Sequence, residues 1–412
     1  MRGKKFTETL FFEGIKLCVL GALIGALGGA VGAVFAHLLS FVADVREATP
    51  WIILLLPVGG IVTVALYRAA KMGDHGGTNE VIDGLCDGEP IRPLAAPLIF
   101  VCTAITHLLG GSAGREGAAI QLGGAGASAL SGALRLRDNS RSVFVMSGMS
   151  AVFAGVFGTP LTAAFFVLEF RSSRRTFSLA ILPCFISAIV AGKLSSLMGV
   201  ADETAHIASV ATLEPMNIAR VLVLCLGISA LGIIMCLAFH KAGDLAKRLI
   251  SNPYIRIVVF SVVIIALTAV VGDMRYNGPG MHMALGAVEG KADWFDFALK
   301  LLFTSVTLAA GLKGGEIVPT FCIGATFGFM LGGALGLDAG FAAALGLVGL
   351  FCCVTSSPIA SIFLGVELFG TAALPYFIII CAVLWLLSTP HGLFHNRFFR
   401  SPILSKIKIL NT

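Results

Sequence analysis

The sequence predicts an all-α polytopic membrane protein, and three observations support this fold class. Of the 412 residues, 57% are hydrophobic and 13% are charged, whereas soluble domains carry roughly 25% charged residues. Apolar runs recur along the chain, and several approach the roughly 20 residues that a spanning helix needs. Forty-nine glycines are too many for buried helices of a soluble protein, but they suit helices that pack closely in lipid.

The apolar runs predict the helices in chain order. Their residue ranges are 15–42, 51–67, 177–197, 218–239, 257–271 and 376–387. The first run carries glycines at spacings of three and four, which places them on one helix face that another helix can approach closely. These are Gly21, Gly25, Gly28, Gly29 and Gly32.

Other segments are short or interrupted. The polar stretch 68–95 either re-enters the membrane or forms a solvated loop. Glycine and proline break the stretches 142–170 and 316–370, where Thr159 can cap a helix that starts at Pro160. Broken segments lie at membrane depth only where protein or a water-filled cavity surrounds them, so a transporter or channel is favoured over a simple anchor.

Basic residues concentrate at the ends of apolar runs and in both tails. They cluster in 2–5, 171–175, 240–248 and 395–408. The positive-inside rule predicts that these places, and therefore both termini, face the cytoplasm of a cell (inner or plasma) membrane. The net charge of +6 thus indicates no nucleic-acid partner. The first run is too long for a cleavable signal peptide, and the ten cysteines show no metal spacing, so neither metal nor cofactor is predicted.

Arg115 and Glu116 lie side by side in the glycine-rich stretch 110–124. Within a membrane each of these charges has a high free-energy cost, so each is expected to have an interaction partner or a functional role. The glycines permit irregular backbone, and 118–122 is typical of the first turns of a helix. Such a helix would point free N–H groups and its positive dipole end at an anion. The alternative is a pair of loop residues at the membrane surface.

The second half of the chain repeats the first in order. Glu316 follows Glu116 by 200 residues, and both Pro358 and Glu367 follow Pro160 and Glu169 by 198. Two motifs recurring at nearly one offset predict a duplicated transport domain, 1–412, with a site built by both halves. We expect the halves to be 14–200 and 216–400, joined by the connector 201–215. The tail after 396 is too short for a regulatory domain.

These motifs resemble those of the CLC family of anion channels and anion/proton antiporters. Gly114-Arg115-Glu116-Gly117 is similar to the family's GREGP motif, residues 314–319 to its GxFxP motif, and 159–169 to a helix at its dimer interface. The resemblance implies a CLC-type fold of two inverted structural repeats with short, tilted and broken helices. It also implies a homodimer in membrane lipid with one pore per subunit. Glu116 would be the external gate, which fills an anion site when deprotonated and leaves it when protonated.

Departures from the family pattern resemble its fluoride-exporting clade. The central serine motif is replaced by 76–80, which leaves either Thr78 or Asn79 to face the ion, and Glu316 replaces an apolar residue. Phe170 occupies the position of the chloride exchangers' internal proton glutamate, and Phe394 that of the inner-gate tyrosine. The resemblance implies an anion-binding set made of Gly77, Thr78, Asn79, Arg115, Gly117, Ile317, Val318 and Phe394.

Elementary chemistry favours fluoride independently of the resemblance. Fluoride is small and strongly hydrated, so it needs compact donors, and the Asn79 amide supplies two N–H groups. Two permanently charged glutamates would repel an anion, whereas Glu116 and Glu316 as titrating groups could carry protons. The alternative for Glu316 is an ion pair with Lys313. For Glu169 and Glu367 we expect salt bridges or interface contacts.

The leading hypothesis is a secondary active antiporter that exports fluoride from the cytoplasm in exchange for protons and so confers fluoride resistance. The first alternative is a chloride/proton exchanger or passive chloride channel of the same family. The second is an intramembrane enzyme that uses Glu116, Glu316 and His107. The sequence lacks a flanked Asp dyad, a Ser-His signature and an HExxH motif, so we do not expect an enzyme.

Overall fold

The computed structural model describes residues 2–73, 77–86, 91–136, 138–170, 173–388 and 392–394, with side chains from residue 13 onward except at 138 and 174. Across these residues the chain is helical, as predicted. The first eight helices are α1 (Arg2–Ala48), α2 (Leu56–Ala69), α3 (Thr78–Cys86), α4 (Ala95–Leu108), α5 (Glu116–Ala133), α6 (Asp138–Phe157), α7 (Pro160–Leu168) and α8 (Arg174–Leu197). The next eight are α9 (Pro215–Leu249), α10 (Pro253–Val271), α11 (Met281–Val288), α12 (Asp296–Ala310), α13 (Ile317–Ala334), α14 (Ala339–Thr355), α15 (Pro358–Phe369) and α16 (Leu374–Leu386).

The helices of this fold differ widely in length. Within the described ranges, seven helical segments are long and apolar enough to cross a membrane. By contrast α3, α7 and α11 have 9, 9 and 8 residues, too few to span a hydrocarbon core of about 30 Å at 1.5 Å per residue. All six predicted apolar runs fall in helices, and the prediction of broken segments is confirmed. The alternative of a solvated loop is wrong for residues 78–86, because they form α3, which buries Val81, Ile82 and Leu85.

The helix order of the first half recurs in the second. A short third helix, α3 or α11, precedes an apolar fourth helix, α4 or α12, in each half. The fifth helices, α5 and α13, both have 18 residues and begin at the glycine motifs. Between α8 and α9 the chain runs without helix from 201 to 214. This recurrence supports our proposed division into 14–200 and 216–400.

The glycine stripe of α1 packs as its spacing predicts. A Cβ on Gly25 would lie 2.7 Å from the Ser187 carbonyl oxygen, and a Cβ on Gly29 would lie 2.7 Å from the Ala191 Cα. Both contacts are with the backbone of α8, so a side chain at either glycine would push the two helices apart.

Helices α7 and α15 are each capped by a glutamate from the other half. The Glu367 carboxylate accepts hydrogen bonds from the Leu161 and Thr162 amides, both at 2.8 Å. The Glu169 carboxylate accepts from the Ile359 and Ala360 amides at 2.9 and 3.3 Å. The first-turn amides of a helix lack intrahelical partners, and its dipole favours a negative charge there. These reciprocal contacts join the two halves.

The capping pattern corrects one prediction. The Thr159 side chain makes no capping hydrogen bond to α7, because Glu367 already occupies the first-turn amides. We did not predict the backbone amides that the Glu169 and Glu367 carboxylates bind, and salt bridges or interface contacts of these two residues stay a prediction.

Replacing Glu367 by alanine is expected to destabilise the protein. The change leaves two amides of α7 without an acceptor, and loss of a capping group costs about 1–2 kcal/mol. The thermal unfolding midpoint in detergent, compared with that of Glu289→Ala, measures the effect. Glu289 is exposed, and its ion-pair partner among the described residues is Lys291, two positions along the chain. Equal midpoints for the two variants would contradict a capping role.

Candidate functional site at the junction of the two halves

The two glycine motifs meet through a backbone pair. The Gly114 amide donates to the Gly315 carbonyl oxygen at 2.6 Å, and the Gly315 amide donates to the Gly114 carbonyl oxygen at 2.7 Å. Helix α5 begins two residues after Gly114 and α13 two residues after Gly315. The pair therefore places the starts of these two helices, one from each half, at a single junction. Free amides at two helix starts suit this junction to an anion.

The close approach at this junction requires glycine. A Cβ on Gly315 would lie 2.7 Å from the Gly117 amide nitrogen, and a Cβ on Gly114 would lie 3.0 Å from the Pro319 Cδ. Since both contacts cross from one half to the other, any larger residue would separate the halves at the site.

Glu116 is buried at the start of α5, with 1% of its surface exposed. Its Oε2 accepts a hydrogen bond from the Arg115 amide at 3.1 Å. Its Oε1 has no hydrogen-bond partner among the described residues and lies 3.6 Å from the Arg115 Nε. A buried carboxylate oxygen without a donor is costly. The alternative of Glu116 as a surface loop residue is therefore wrong.

Arg115 has a second carboxylate partner that sequence reasoning missed. Its Nη2 forms a short hydrogen-bonded ion pair with the Oε1 of Glu203. Glu203 belongs to the connector 201–215, 88 residues away in the chain. A lone glutamate in a polar connector gives no periodic or motif signal, so only the tertiary structure reveals this contact.

Glu316 is half-buried immediately before α13 and lines a cavity of about 500 Å³. The alternative, an ion pair between Glu316 and Lys313, stays a prediction. The Lys313 Nζ lies 4.2 Å from the centroid of the Tyr67 ring. Glu316 and Lys313 both line the cavity wall.

Helix α3 begins at the same cavity. The Thr78 hydroxyl donates to the Gly117 carbonyl oxygen at 3.3 Å and accepts from the Gln121 Nε2 at 3.1 Å. The Asn79 Nδ2 donates to the Leu393 carbonyl oxygen at 3.3 Å. Thr78 and Asn79 both line the cavity. Gln121 was missed, although its position one helical turn after Gly117 would have placed it on the same face.

The predicted site residues divide into two adjacent groups. Those that line the cavity are Gly77, Thr78, Asn79, Glu316 and Phe394. Those at the helix junction are Arg115, Glu116, Gly117, Ile317 and Val318, the last two fully buried in the first turn of α13. Thr78 connects the groups, because its hydroxyl oxygen lies 2.9 Å from where a Cβ on Gly117 would be.

The cavity wall carries several cations. Basic side chains from four elements line it, namely Arg68, Lys247, Arg256 and Lys313. Lys247 lies in the stretch 240–248 that the positive-inside rule assigns to the cytoplasm. These four cations outnumber the single carboxylate of the described lining, Glu316, and an excess of positive charge in a cleft concentrates anions, so this cavity is suited to admit anions.

Phe394 belongs to an aromatic cluster beside the cavity. Its ring centroid lies 6.0 Å from that of Phe166 and 6.5 Å from that of Phe170, and both contacts are edge-on. Phe170 is fully buried. The chain thus presents packed rings at the position where the resemblance places the chloride exchangers' internal proton carboxylate.

Comparison with known proteins gives a consistent relationship over most of the chain. The family described as voltage gated chloride channel matches residues 59–388. The chain is 35% identical over 388 residues to a chloride/fluoride channel protein of Pseudomonas syringae pv. tomato, covering 92% of this chain and 86% of that protein. It is 25% identical over 395 residues to the H(+)/Cl(-) exchange transporter ClcA of Vibrio vulnificus, covering 86% and 82%.

Solved structures agree with this relationship. The crystal structure of a CLC-type fluoride/proton antiporter superposes with a TM-score of 0.88 at 34% identity, covering 93% of this chain and 98% of that one. A slow cyanobacterial Cl-/H+ antiporter shares the fold, with a TM-score of 0.77 at 16% identity over 90% and 94% of the two chains. The chain therefore belongs to the CLC family of anion transport proteins and has its all-α membrane fold of two inverted repeats.

Proposed function

We propose that this CLC-family anion transporter is a secondary active antiporter that exports fluoride from the cytoplasm in exchange for protons. The observation that carries the proposal is Glu316, a half-buried carboxylate that lines the same cavity as Asn79. A carboxylate in an anion path repels the cargo while it is charged. It is useful there when it takes up and releases a proton, and intramembrane carboxyl groups are functional by default.

Glu116 is proposed as the gate. Its deprotonated side chain fills the junction where α5 and α13 begin, which is the place best provided with free helix amides. When it takes a proton it loses its attraction to those amides and leaves. A fluoride ion can then occupy the vacated position. Return of the deprotonated carboxylate expels the anion, so proton entry and anion exit are coupled.

Asn79 is proposed to set the preference for fluoride. Fluoride gives up strong hydration on entering the protein, so it needs compact N–H or O–H donors in return. The Asn79 amide lines the cavity on the α3 side. The names of the Pseudomonas relative and of the fluoride/proton antiporter structure support fluoride as the cargo.

The alternative is a chloride/proton exchanger or passive chloride channel, as the name of the Vibrio relative suggests. The buried ring of Phe170 argues against the exchanger, because no carboxylate lies there to receive internal protons. We also propose a homodimer in the plasma membrane with both termini cytoplasmic. Residues 395–412, which carry much of that topology signal, lie outside the described residues.

The proposal is tested with the purified protein in lipid vesicles loaded with fluoride or chloride. Ion-selective electrodes record anion release when the membrane potential is clamped. We expect fluoride release to be much faster than chloride release. Equal rates for the two anions would reject the fluoride assignment and favour the alternative.

Replacing Asn79 by serine is expected to weaken the preference for fluoride over chloride about fivefold, since a net hydrogen bond is worth about 1 kcal/mol. The ratio of fluoride to chloride release rates measures the effect. Asn217→Ser is the control, because Asn217 lies in the first turn of α9 and, among the described residues, its side chain bonds to Thr212 and Arg220. An unchanged ratio in Asn79→Ser would transfer the role to Thr78.

A further inference from the structure

Residues 201–214 of the connector lack helix but are fixed in place. The Ala205 amide donates to the Leu368 carbonyl oxygen at 3.1 Å, and the Tyr376 hydroxyl donates to the Thr212 carbonyl oxygen at 2.7 Å. Ile207 is buried between these anchors. Glu203 therefore reaches Arg115 from a fixed segment, and the ion pair joins the connector to the residue before the gate.

Arg115 is shared unequally by two carboxylates. Its Nη2 makes the short contact with Glu203, whereas its Nε lies 3.6 Å from the Glu116 Oε1, beyond hydrogen-bond distance for that geometry. The guanidinium also lies over the Phe157 ring, 5.9 Å from its centroid. Arg115 is thus oriented towards the connector, and the Glu116 Oε1 is left without a donor.

We propose that Glu203 is a positioning residue of the transport cycle, which holds the Arg115 guanidinium off the gate carboxylate of Glu116. An arginine fork binds a carboxylate best through two parallel hydrogen bonds. Without Glu203 the same guanidinium can turn onto Glu116 and pair with it fully. The gate would then be held in its site by an ion pair that an entering anion has to break. The proposal rests on the proposed function in taking Glu116 as the gate.

The charges around the gate define the expected effect. The nearest charged side chains are Arg115 from the gate's own segment and Glu203 from the connector, and Glu316 directly precedes α13 at the same junction. His107 of α4 lies near Arg115. The packed α13 presents Pro319 to this junction, which carries no charge. Loss of the Glu203 charge and a closer Arg115 both favour the deprotonated form of Glu116. The Glu116 carboxylate would therefore take up a proton only at a lower pH.

The test is the pH dependence of fluoride release from vesicles containing wild type or Glu203→Gln. We expect the neutral variant to release fluoride more slowly at neutral pH. Its half-maximal rate should lie about one pH unit lower than in wild type, as expected for a carboxylate that gains a close cation. Glu203→Asp, which keeps the charge, should restore most of the wild-type profile, and Glu203→Ser serves as a second neutral variant with the same expected shift.

Two further experiments distinguish a positioning role of Glu203 from a general loss of transport activity. Glu214→Gln is the matched control, because Glu214 lies in the same connector, is exposed and bonds to Thr212, and its pH profile should match wild type. In a Glu116→Ala background, Glu203→Gln should have no further effect, since there is no gate carboxylate for Arg115 to bind. An unshifted profile in both neutral variants, or an equal loss in both backgrounds, would overturn the proposal.

Failure of the proposed function can be distinguished from failure of the Glu203 proposal. Wild-type vesicles that release chloride as fast as fluoride would reject the fluoride assignment alone. The comparison of Glu203 variants would then be made with chloride, and its outcome would still decide whether Glu203 positions Arg115.

Discussion

Replacing Glu116 by glutamine is expected to abolish proton-coupled fluoride export. Glutamine keeps the shape of the side chain but cannot exchange a proton, so the gate either remains in its site or leaves without carrying a proton. Removing a group that transfers protons typically slows a reaction by about 100-fold or more. The measurement is simultaneous fluoride release and proton uptake by vesicles under a clamped potential.

Glu289→Gln is the control for this experiment, because Glu289 is exposed, pairs with Lys291 and lies outside both glycine motifs. It should transport as wild type does. Unchanged coupled flux in Glu116→Gln would remove Glu116 from the mechanism. In that case Glu316, which lines the cavity, would be the remaining candidate for proton transfer.

Replacing Gly315 by alanine is expected to impair the site more than its single methyl group suggests. The new Cβ would lie 2.7 Å from the Gly117 amide nitrogen and 3.2 Å from the Gly117 Cα. Neither atom can rotate away, because both are backbone at the start of α5. Overpacking of this kind costs about 1–3 kcal/mol, and the Gly114–Gly315 hydrogen bonds that join the halves should lengthen.

The expected loss is about 10- to 100-fold in fluoride release, since 1.4 kcal/mol corresponds to a factor of ten. Gly126→Ala is a closely matched control: it lies on α5, and its Cβ would meet no atom within 4 Å. That variant should fold and transport as wild type does. If Gly315→Ala also transports normally, the backbone junction would not define the anion site.

The sequence predicted the helices and their repetition because both depend on local composition and spacing. Apolar runs of the right length fall in helices wherever they occur, and the glycine spacing of α1 is a property of one helix face. The common offset of Glu116 and Glu316 predicted that the two glycine motifs belong to one site. The backbone hydrogen bonds between Gly114 and Gly315 join these motifs.

The sequence could not predict contacts that depend on distant segments. Glu203 reaches Arg115 from a connector without periodicity, so no pattern pointed to it. Thr159 is of a residue type that commonly caps helices. The Glu367 carboxylate from the other half instead supplies two charged oxygens to the first-turn amides of α7, and the Thr159 hydroxyl makes no capping hydrogen bond. Similarly, no pattern in the sequence indicated that the Lys313 side chain extends over the Tyr67 ring.

The central claim is that one conduit exchanges fluoride for protons through titrating carboxylates, and uphill proton movement tests it most directly. Vesicles holding wild-type protein and a high internal fluoride concentration are placed in fluoride-free medium with no proton gradient, under a clamped potential. We predict that fluoride leaving the vesicles drives protons inward and makes the lumen acidic, and that Glu116→Gln abolishes this acidification. Fluoride release without any proton uptake by the wild-type protein would contradict the account.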